Sequence, residues 1–336
     1  MIASRASVTL AIVTLVACSG SPEGPSPGET APALTTPPIQ SPTATVAAAA
    51  TPPTQRPLVS SGCGIQLPAG VRAGTTTLRT LTSGGIERDY RLHLPPNYKI
   101  AEATPLVLNF HGLGSDAFQQ EIYSGLVPVS DREGFILVSP NGTGMPRAWA
   151  SFANIPTGAD DVLFTRDLLD TLQSDLCVNK ARIYSTGMSN GAFMSSRLGC
   201  VLSERTAAIA PVAGVYFPLE ACGKPVPVLI FHGTLDRTVP YNEGLIFGLL
   251  PYAGVSTYAS GWAQHNGCAA TPHGTAVSEH VSKETFIACK GAQVTVVTIM
   301  GGGHTWPGAA IEIGRPGETT KEISAAEEIW KFFASQ

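Results

Sequence analysis

Two hydrophobic patterns alternate along residues 61–336. Short runs that are continuously apolar are typical of strands covered on both faces, whereas apolar residues repeating every three or four positions predict helices. The predicted strands are Tyr90–Leu94, Pro105–His111, Phe135–Ser139, Ile183–Ser185, Ala207–Ala213, Pro227–His232 and Val294–Met300. The predicted helices are Asp161–Leu176, Ala192–Leu202, Ser256–His265 and Lys321–Ala334. This alternation predicts an α/β domain with a mostly parallel, doubly wound sheet and helices on both faces.

The first 60 residues have a different pattern. Residues 1–17 place one arginine before the 12-residue apolar run ASVTLAIVTLVA, which is typical of a secretion signal and too short to span a bilayer. The run ends in LVAC, the bacterial lipoprotein pattern, so Cys18 is the predicted site of lipidation. An ordinary signal peptide cut elsewhere is the alternative. Residues 18–60 are rich in Pro, Thr and Ala and contain no aromatic residue, which predicts a disordered tether. Residues 61–336 then form one domain.

Charge and cysteine content narrow the function classes. The formal net charge of −4, without a cluster of Lys and Arg, argues against a nucleic-acid partner. Beyond the predicted lipidation site, six cysteines remain, and an even number in an exported chain is typical of disulfides. None has the spacing of a zinc site, so no metal and no cofactor are predicted. About fifteen pairings are possible. Nearness in sequence, and elimination for the last pair, favour Cys268–Cys289, Cys200–Cys222 and Cys63–Cys177.

The sequence GMSNG, residues 187–191, lies between a predicted strand and a predicted helix. Glycines two positions before and two after Ser189 remove the Cβ atoms that would clash in a sharp turn, and a serine on such a turn is exposed as a nucleophile. Because the chain contains 35 glycines, a chance GxSxG match is the alternative. The presence or absence of residues that could activate the serine distinguishes a nucleophile from a chance match.

A nucleophilic serine needs a base to take its proton and an acid to orient the base. In hydrolases with this kind of sheet, the acid and then the base follow the serine, each on a loop after a strand. Asp236 follows the predicted strand PVLIFH, and His304 follows VTVVTIM and three glycines. These two residues are therefore the predicted acid and base. The competing acids, Asp160 and Asp161, precede the turn and are expected to begin a helix.

Attack on a carbonyl also needs N–H donors for the negative charge that develops on the carbonyl oxygen. The residue after the nucleophile, Asn190, is one predicted donor. The other is Leu113, in the glycine-containing loop after the strand PLVLNFH. His111 and His232 end predicted strands, and we expect them to form hydrogen bonds within the core.

Five sequence blocks occur in a family-specific order along residues 61–336. They resemble those of the esterase family that includes polyhydroxybutyrate depolymerases and the related feruloyl esterases. The resemblance implies the α/β-hydrolase fold and a triad of Ser189, Asp236 and His304 that acts on carboxylic esters. The blocks are FHGLGSDA, ADDVLF, STGMSNGAFMSSRLGC, FHGTLDRTVPY and GGGHTWPG.

Two tryptophans near the predicted triad suggest the substrate. If the rings of Trp306 and Trp149 border the cleft, they can stack on a planar acyl group. This favours soluble esters of aromatic acids, such as feruloyl groups on plant polysaccharide. A depolymerase of polyhydroxybutyrate or its oligomers is the alternative, followed by a serine peptidase and a lipoprotein that only binds a ligand. The sequence further predicts a monomer outside the cell or on its surface, held to a membrane only through its lipid.

Overall fold

The computed structural model describes residues 58–152, 158–218, 220–311 and 317–336. The predicted signal peptide, Cys18 and tether residues up to 57 lie outside the described residues. Residues 58–60, assigned to the tether from sequence, are instead part of the domain. Val59 pairs with Asn179, and the Ser60 hydroxyl donates a 2.6 Å hydrogen bond to the carbonyl of Leu176. The folded domain therefore includes these three residues.

The described part of the chain forms twelve strands and six α-helices. The strands are β1 Thr75–Ser83, β2 Ile86–Leu94, β3 Thr104–Phe110, β4 Ile136–Pro140, β5 Val178–Met188, β6 Ala208–Val212, β7 Val228–Gly233, β8 Gly244–Ile246, β9 Leu250–Tyr252, β10 His273–Ala276, β11 Val281–Phe286 and β12 Val294–Ile299. The helices are α1 Ala117–Ser124, α2 Leu126–Glu133, α3 Asp161–Asp175, α4 Asn190–Val201, α5 Val255–His265 and α6 Ala325–Ala334.

Ten strands form one sheet in the order β1-β2-β4-β3-β5-β6-β7-β12-β11-β10. The central strands from β4 to β12 are parallel, and two antiparallel strands extend the sheet at each edge. β8 and β9 form a separate hairpin. The predicted mostly parallel sheet of the α/β-hydrolase class is thus confirmed.

Helices cover both faces of the sheet, as predicted. Along β3, Val107 packs in the core cluster that contains residues of α1, α2 and α6, whereas its neighbours Leu106 and Leu108 pack in the cluster that contains residues of α3 and α4. Successive side chains of a strand point to opposite faces, so a continuously apolar strand supplies both cores. Trp262 of α5 anchors a third cluster beside β7 and β12.

The three predicted disulfides, Cys63–Cys177, Cys200–Cys222 and Cys268–Cys289, are present. Disulfides of this kind are typical of proteins that fold outside the reducing cytosol. Cys177 directly precedes β5, so the first bond joins the start of the domain to a central strand. None of the described helices is both long enough and apolar enough to cross a membrane.

Candidate active site

Ser189 occupies a strained turn between β5 and α4. Its φ of 56° and ψ of −118° lie in a region that L-residues rarely adopt. Neither flanking glycine has a positive φ, so these glycines are needed for space. A Cβ atom on Gly187 would lie 2.6 Å from the carbonyl oxygen of Phe110, and one on Gly191 would lie 2.6 Å from that of His111. The turn can form only because both glycines let the end of β3 approach closely.

Asp236 and His304 meet on the loops after β7 and β12. His304 Nδ1 donates a hydrogen bond of 2.7 Å to Asp236 Oδ2, and both side chains are fully buried. The other carboxylate oxygen accepts hydrogen bonds of 2.8 Å from the backbone N–H groups of Thr238 and Val239. Burial alone would raise the pKa of Asp236, but its contacts with His232 and His304 hold that pKa well below the usual range. Asp236 is therefore an ionised carboxylate that orients the His304 ring.

The second nitrogen of His304 is available for proton transfer. Because Nδ1 carries a proton toward Asp236, Nε2 of the neutral ring has a free lone pair. This Nε2 is buried and has no hydrogen-bond partner among the described residues. His304 and Ser189 line the same pocket. The arrangement places a base with its lone pair unoccupied in the cleft that contains the strained serine.

The predicted donors, Asn190 and Leu113, both lie beside Ser189. Asn190 is the first residue of α4, where backbone N–H groups have no acceptor within the helix. The N–H of Leu113 has no acceptor in the described part of the chain. The preceding residue, Gly112, passes so close to the turn that a Cβ on it would lie 3.5 Å from Ser189 Cβ. The backbone N–H groups of both residues thus lie near Ser189.

Two largely apolar pockets meet at Ser189 and Leu113. The first has a volume of about 370 Å³ and the second a volume of about 220 Å³. Apolar residues of the first pocket include Phe118, Ile122, Tyr123, Met188 and Ile311. Those of the second include Trp149, Phe152, Phe193, Ile246, Phe247 and Leu250. An ester bound at Ser189 can therefore place one part in each pocket.

Of the two tryptophans predicted to contact substrate, Trp149 lines the second pocket. Its ring is buried, and Nε1 donates a 2.9 Å hydrogen bond to the carbonyl of His111. The side chain of Asn190 fixes this segment, because it accepts a 2.7 Å bond from the Trp149 N–H and donates a 2.9 Å bond to Ser151 Oγ. The residue that supplies a predicted oxyanion donor thus also holds one wall of the second pocket.

Trp306 is placed differently from the expectation. It is 1% exposed, packs in the core beside α6, and lines neither pocket. Its backbone N–H donates a 3.0 Å hydrogen bond to the hydroxyl of Tyr123. A position two residues after His304 does not fix the direction of the ring, and burial of the large indole directs it inward.

The competing acids have structural roles. Asp160 caps α3 by accepting hydrogen bonds from two backbone N–H groups. Asp161 forms a buried ion pair of 2.7 Å with Arg88. Buried hydrogen bonds of His111 and His232 are also as expected. Sequence reasoning missed that His232 Nε2 also lies 3.4 Å from Asp236 Oδ2. Its position four residues before the acid was the available signal.

No family model matches the sequence. Individual relatives do match. Over 288 residues the chain is 30% identical to "Putative esterase NocK" of Nocardia uniformis. The match covers 76% of this chain and 82% of that protein. The chain belongs to this esterase family.

Other relatives of this esterase are named feruloyl esterases. "Feruloyl esterase B" of Piromyces equi is 34% identical over 226 residues, and the match covers 62% of this chain but spans only 41% of that relative's length. "Probable feruloyl esterase C" of Aspergillus oryzae is 27% identical over 285 residues, covering 82% of this chain and 90% of that protein. The chain is therefore also similar to proteins that are named feruloyl esterases.

A solved structure supports the fold of the esterase. The acetyl xylan esterase from Aspergillus awamori superposes with a TM-score of 0.57 at 14% identity, covering 77% of this chain and all of that one. At this identity the likeness establishes the fold alone.

Proposed function

We propose that the esterase cleaves carboxylic esters through an acyl-enzyme formed on Ser189. The buried 2.7 Å hydrogen bond between His304 and Asp236 carries this proposal, because it leaves His304 Nε2 as a free base in the pocket of Ser189. The strained backbone of Ser189, which keeps its side chain at the start of α4, is a second support.

In the proposed reaction, His304 Nε2 takes the proton of Ser189 Oγ while Oγ attacks the ester carbonyl. The N–H groups of Asn190 and Leu113 stabilise the oxyanion, and Asp236 stabilises the protonated ring. His304 then gives its proton to the leaving alkoxide, and an acyl-enzyme remains. Water repeats the sequence: His304 accepts its proton, the hydroxide attacks, and the proton returns to Ser189 as the acid leaves.

Ser189→Ala tests this mechanism. We expect kcat for p-nitrophenyl acetate to fall at least about 10³-fold while the melting temperature stays unchanged, because the small side chain contributes little packing. A serine-directed phosphonate should inactivate the wild-type esterase and leave the variant unlabelled. Wild-type turnover by the variant would falsify the nucleophile assignment. Cleavage of peptide amides at comparable rates would favour a peptidase, and absence of any turnover by the wild type would favour a ligand-binding protein.

We further propose that the second pocket receives a planar aromatic acyl group. Its wall contains the rings of Trp149, Phe152, Phe193 and Phe247. Contact between aromatic rings adds about 1 kcal/mol per pair beyond the burial of area. Two of the relatives are named "Feruloyl esterase B" and "Probable feruloyl esterase C", and these names agree with such a substrate. Feruloyl groups on plant polysaccharide are therefore the proposed substrates, and Trp306 has no direct contact with them.

The apolar lining of the first pocket favours a second candidate substrate. Phe118, Ile122 and Ile311 line the first pocket, and Ser189 borders both this pocket and the one with the aromatic wall. Apolar groups on both sides of the carbonyl suit a chain of 3-hydroxybutyrate units, so a polyhydroxybutyrate oligomer is the alternative substrate.

A comparison of kcat/KM for methyl ferulate and for a soluble 3-hydroxybutyrate oligomer separates the two. For an aromatic acyl pocket, Phe152→Ala should reduce kcat/KM for ferulate by roughly 5- to 10-fold, since about 1 kcal/mol of ring contact is lost. Phe118→Ala, in the first pocket, is the matched control and should leave ferulate specificity unchanged. A preference for the oligomer, with clearing of a polymer suspension, would overturn the feruloyl assignment without affecting the ester hydrolase assignment.

We also propose that the esterase is an extracellular, monomeric lipoprotein attached through Cys18 and a Pro/Thr/Ala-rich tether. The three disulfides support export. Cys18→Ser should release the esterase from membranes into the medium, and mass spectrometry should find lipid on the amino-terminal cysteine of the wild type only. Equal release of both forms would contradict lipidation.

A further inference from the structure

A second buried histidine contacts the catalytic acid. His232, near the end of β7, is 1% exposed. Its Nε2 lies 2.9 Å from the carbonyl oxygen of Val239 and 3.4 Å from Asp236 Oδ2. A carbonyl oxygen can only accept a hydrogen bond, so the proton of the neutral ring is on Nε2. That N–H donates to Val239 and has Asp236 as a second, longer acceptor.

Val239 connects the two side chains through its own peptide groups. Its N–H donates to Asp236 Oδ1, and its carbonyl accepts from His232. Hydrogen bonds through Val239 thus connect the loop that carries Asp236 to the His232 ring. Loss of the His232 donor would leave the Val239 carbonyl unsatisfied in a buried site and would release one side of the loop.

We infer that His232 is a positioning residue for ester hydrolysis: its Nε2–H fixes the loop of Asp236 and shares the carboxylate charge with His304. The inference rests on the proposed roles of Asp236 and His304. It predicts two separate consequences. If His232 is removed, the side chains of Asp236 and His304 are less well placed for proton transfer. The carboxylate, which has lost a neighbouring donor, also stabilises protonated His304 more strongly.

The other titratable groups nearby do not replace His232. Tyr241 packs edge-on against its ring at 5.9 Å and donates to or accepts from Thr298 rather than Asp236. Tyr252 interacts electrostatically with Asp236, but burial raises its pKa, so its hydroxyl stays neutral. The pH response of this site therefore depends on His232, Asp236 and His304.

Two amide substitutions test the inference. In His232→Gln the amide nitrogen reaches the position of Nε2 and keeps a donor for Val239, whereas the shorter amide of His232→Asn does not. We expect His232→Asn to lower kcat roughly 10- to 100-fold with little change in KM, because a small misplacement of catalytic groups has effects of this size. The acid limb of its kcat/KM profile should move to higher pH. His232→Gln should stay within about 3-fold of wild type, with its acid limb unmoved.

A matched control is available in His93. This histidine is also buried and also contacts an aspartate, Asp131, at 2.8 Å, but it lies on β2 and lines neither pocket. His93→Asn should reduce the melting temperature without moving the acid limb. It therefore measures what loss of a buried histidine does to stability alone.

The results for these variants distinguish a positioning role of His232 from a packing role and from a wrong triad. Wild-type rates and acid limbs in both His232 variants refute the inference. Equal losses in both variants with unmoved acid limbs also refute it, because they indicate a packing role. Asp236→Asn distinguishes the underlying proposal: if this change leaves the rate intact, the triad itself is wrong. If it abolishes the rate while His232→Asn has no effect, only the role of His232 fails.

Discussion

Gly191→Ala is the substitution that most directly tests the geometry of the nucleophile turn. An added Cβ would lie 2.6 Å from the carbonyl oxygen of His111 and closer still to that of Phe110. Ordinary contacts at such a Cβ begin near 3.4 Å. Both opposing atoms belong to the backbone at the end of β3, so no side-chain rotation can relieve the clash. The turn and the strand end must separate.

The required separation is about 1 Å, and a displacement of that size at a catalytic group costs on the order of 10²-fold in rate. Overpacking against a rigid backbone destabilises by about 3 kcal/mol, at the upper end of the usual range. For a domain of this length we expect the melting temperature to fall by roughly 6 to 12 °C. Thermal unfolding followed by circular dichroism and kcat/KM for p-nitrophenyl acetate measure the two effects.

Gly274→Ala is the matched control. Gly274 lies in the edge strand β10, and no atom is within 4 Å of a Cβ added there. Its effect should stay within about 0.5 kcal/mol, with full activity. If Gly191→Ala has the melting temperature and activity of Gly274→Ala, the close approach between β3 and the nucleophile turn is not a requirement of this fold.

Three further predictions concern the acid, the base and a disulfide. Asp236→Asn should lower kcat about 10⁴-fold through loss of ring orientation; a loss below tenfold would contradict the assignment of the acid. Since protonated His304 cannot accept a proton, kcat/KM should fall in acid. A profile flat to about pH 4 is the opposing result. Replacing Cys63 and Cys177 together with serine should reduce the free energy of unfolding by roughly 2 to 4 kcal/mol, and an unchanged urea midpoint would exclude this contribution.

The central sheet could be predicted from sequence because its strands are buried on both faces. A run such as residues 227–231, PVLIF, is apolar throughout, which leaves few other interpretations. β1 was missed for the opposite reason: its sequence TTTLRTLTS is largely polar and partly exposed, and only pairing with β2 makes it a strand. The antiparallel β10 is fully exposed and carries no hydrophobic pattern at all.

The contact between Asp236 and His304 was predictable from chain order, but the surroundings of this contact were not. Three loops after parallel strands converge at one edge of the sheet, so the meeting of Asp236 and His304 follows from topology. The need for Gly191 depends on a strand end about 80 residues earlier, which no local pattern records. The direction of Trp306 depends on where α6 packs. The contact between His232 and Asp236 depends on how tightly one loop folds.

The link between Cys63 and Cys177 has a consequence for handling the esterase. This disulfide and the pairing of Val59 with Asn179 fasten the beginning of the domain to the start of β5, whereas Ser189 follows the far end of the same strand. Thr104 pairs with Val178 and Phe110 pairs with Gly187, so at about 3.3 Å per residue the span of β3 separates the two points by roughly 20 Å. A bead, a fusion partner or a surface joined directly before residue 58 therefore pulls on the end of β5 that is opposite to Ser189. Immobilised in that way, the esterase presents its substrate entrance to the bulk liquid.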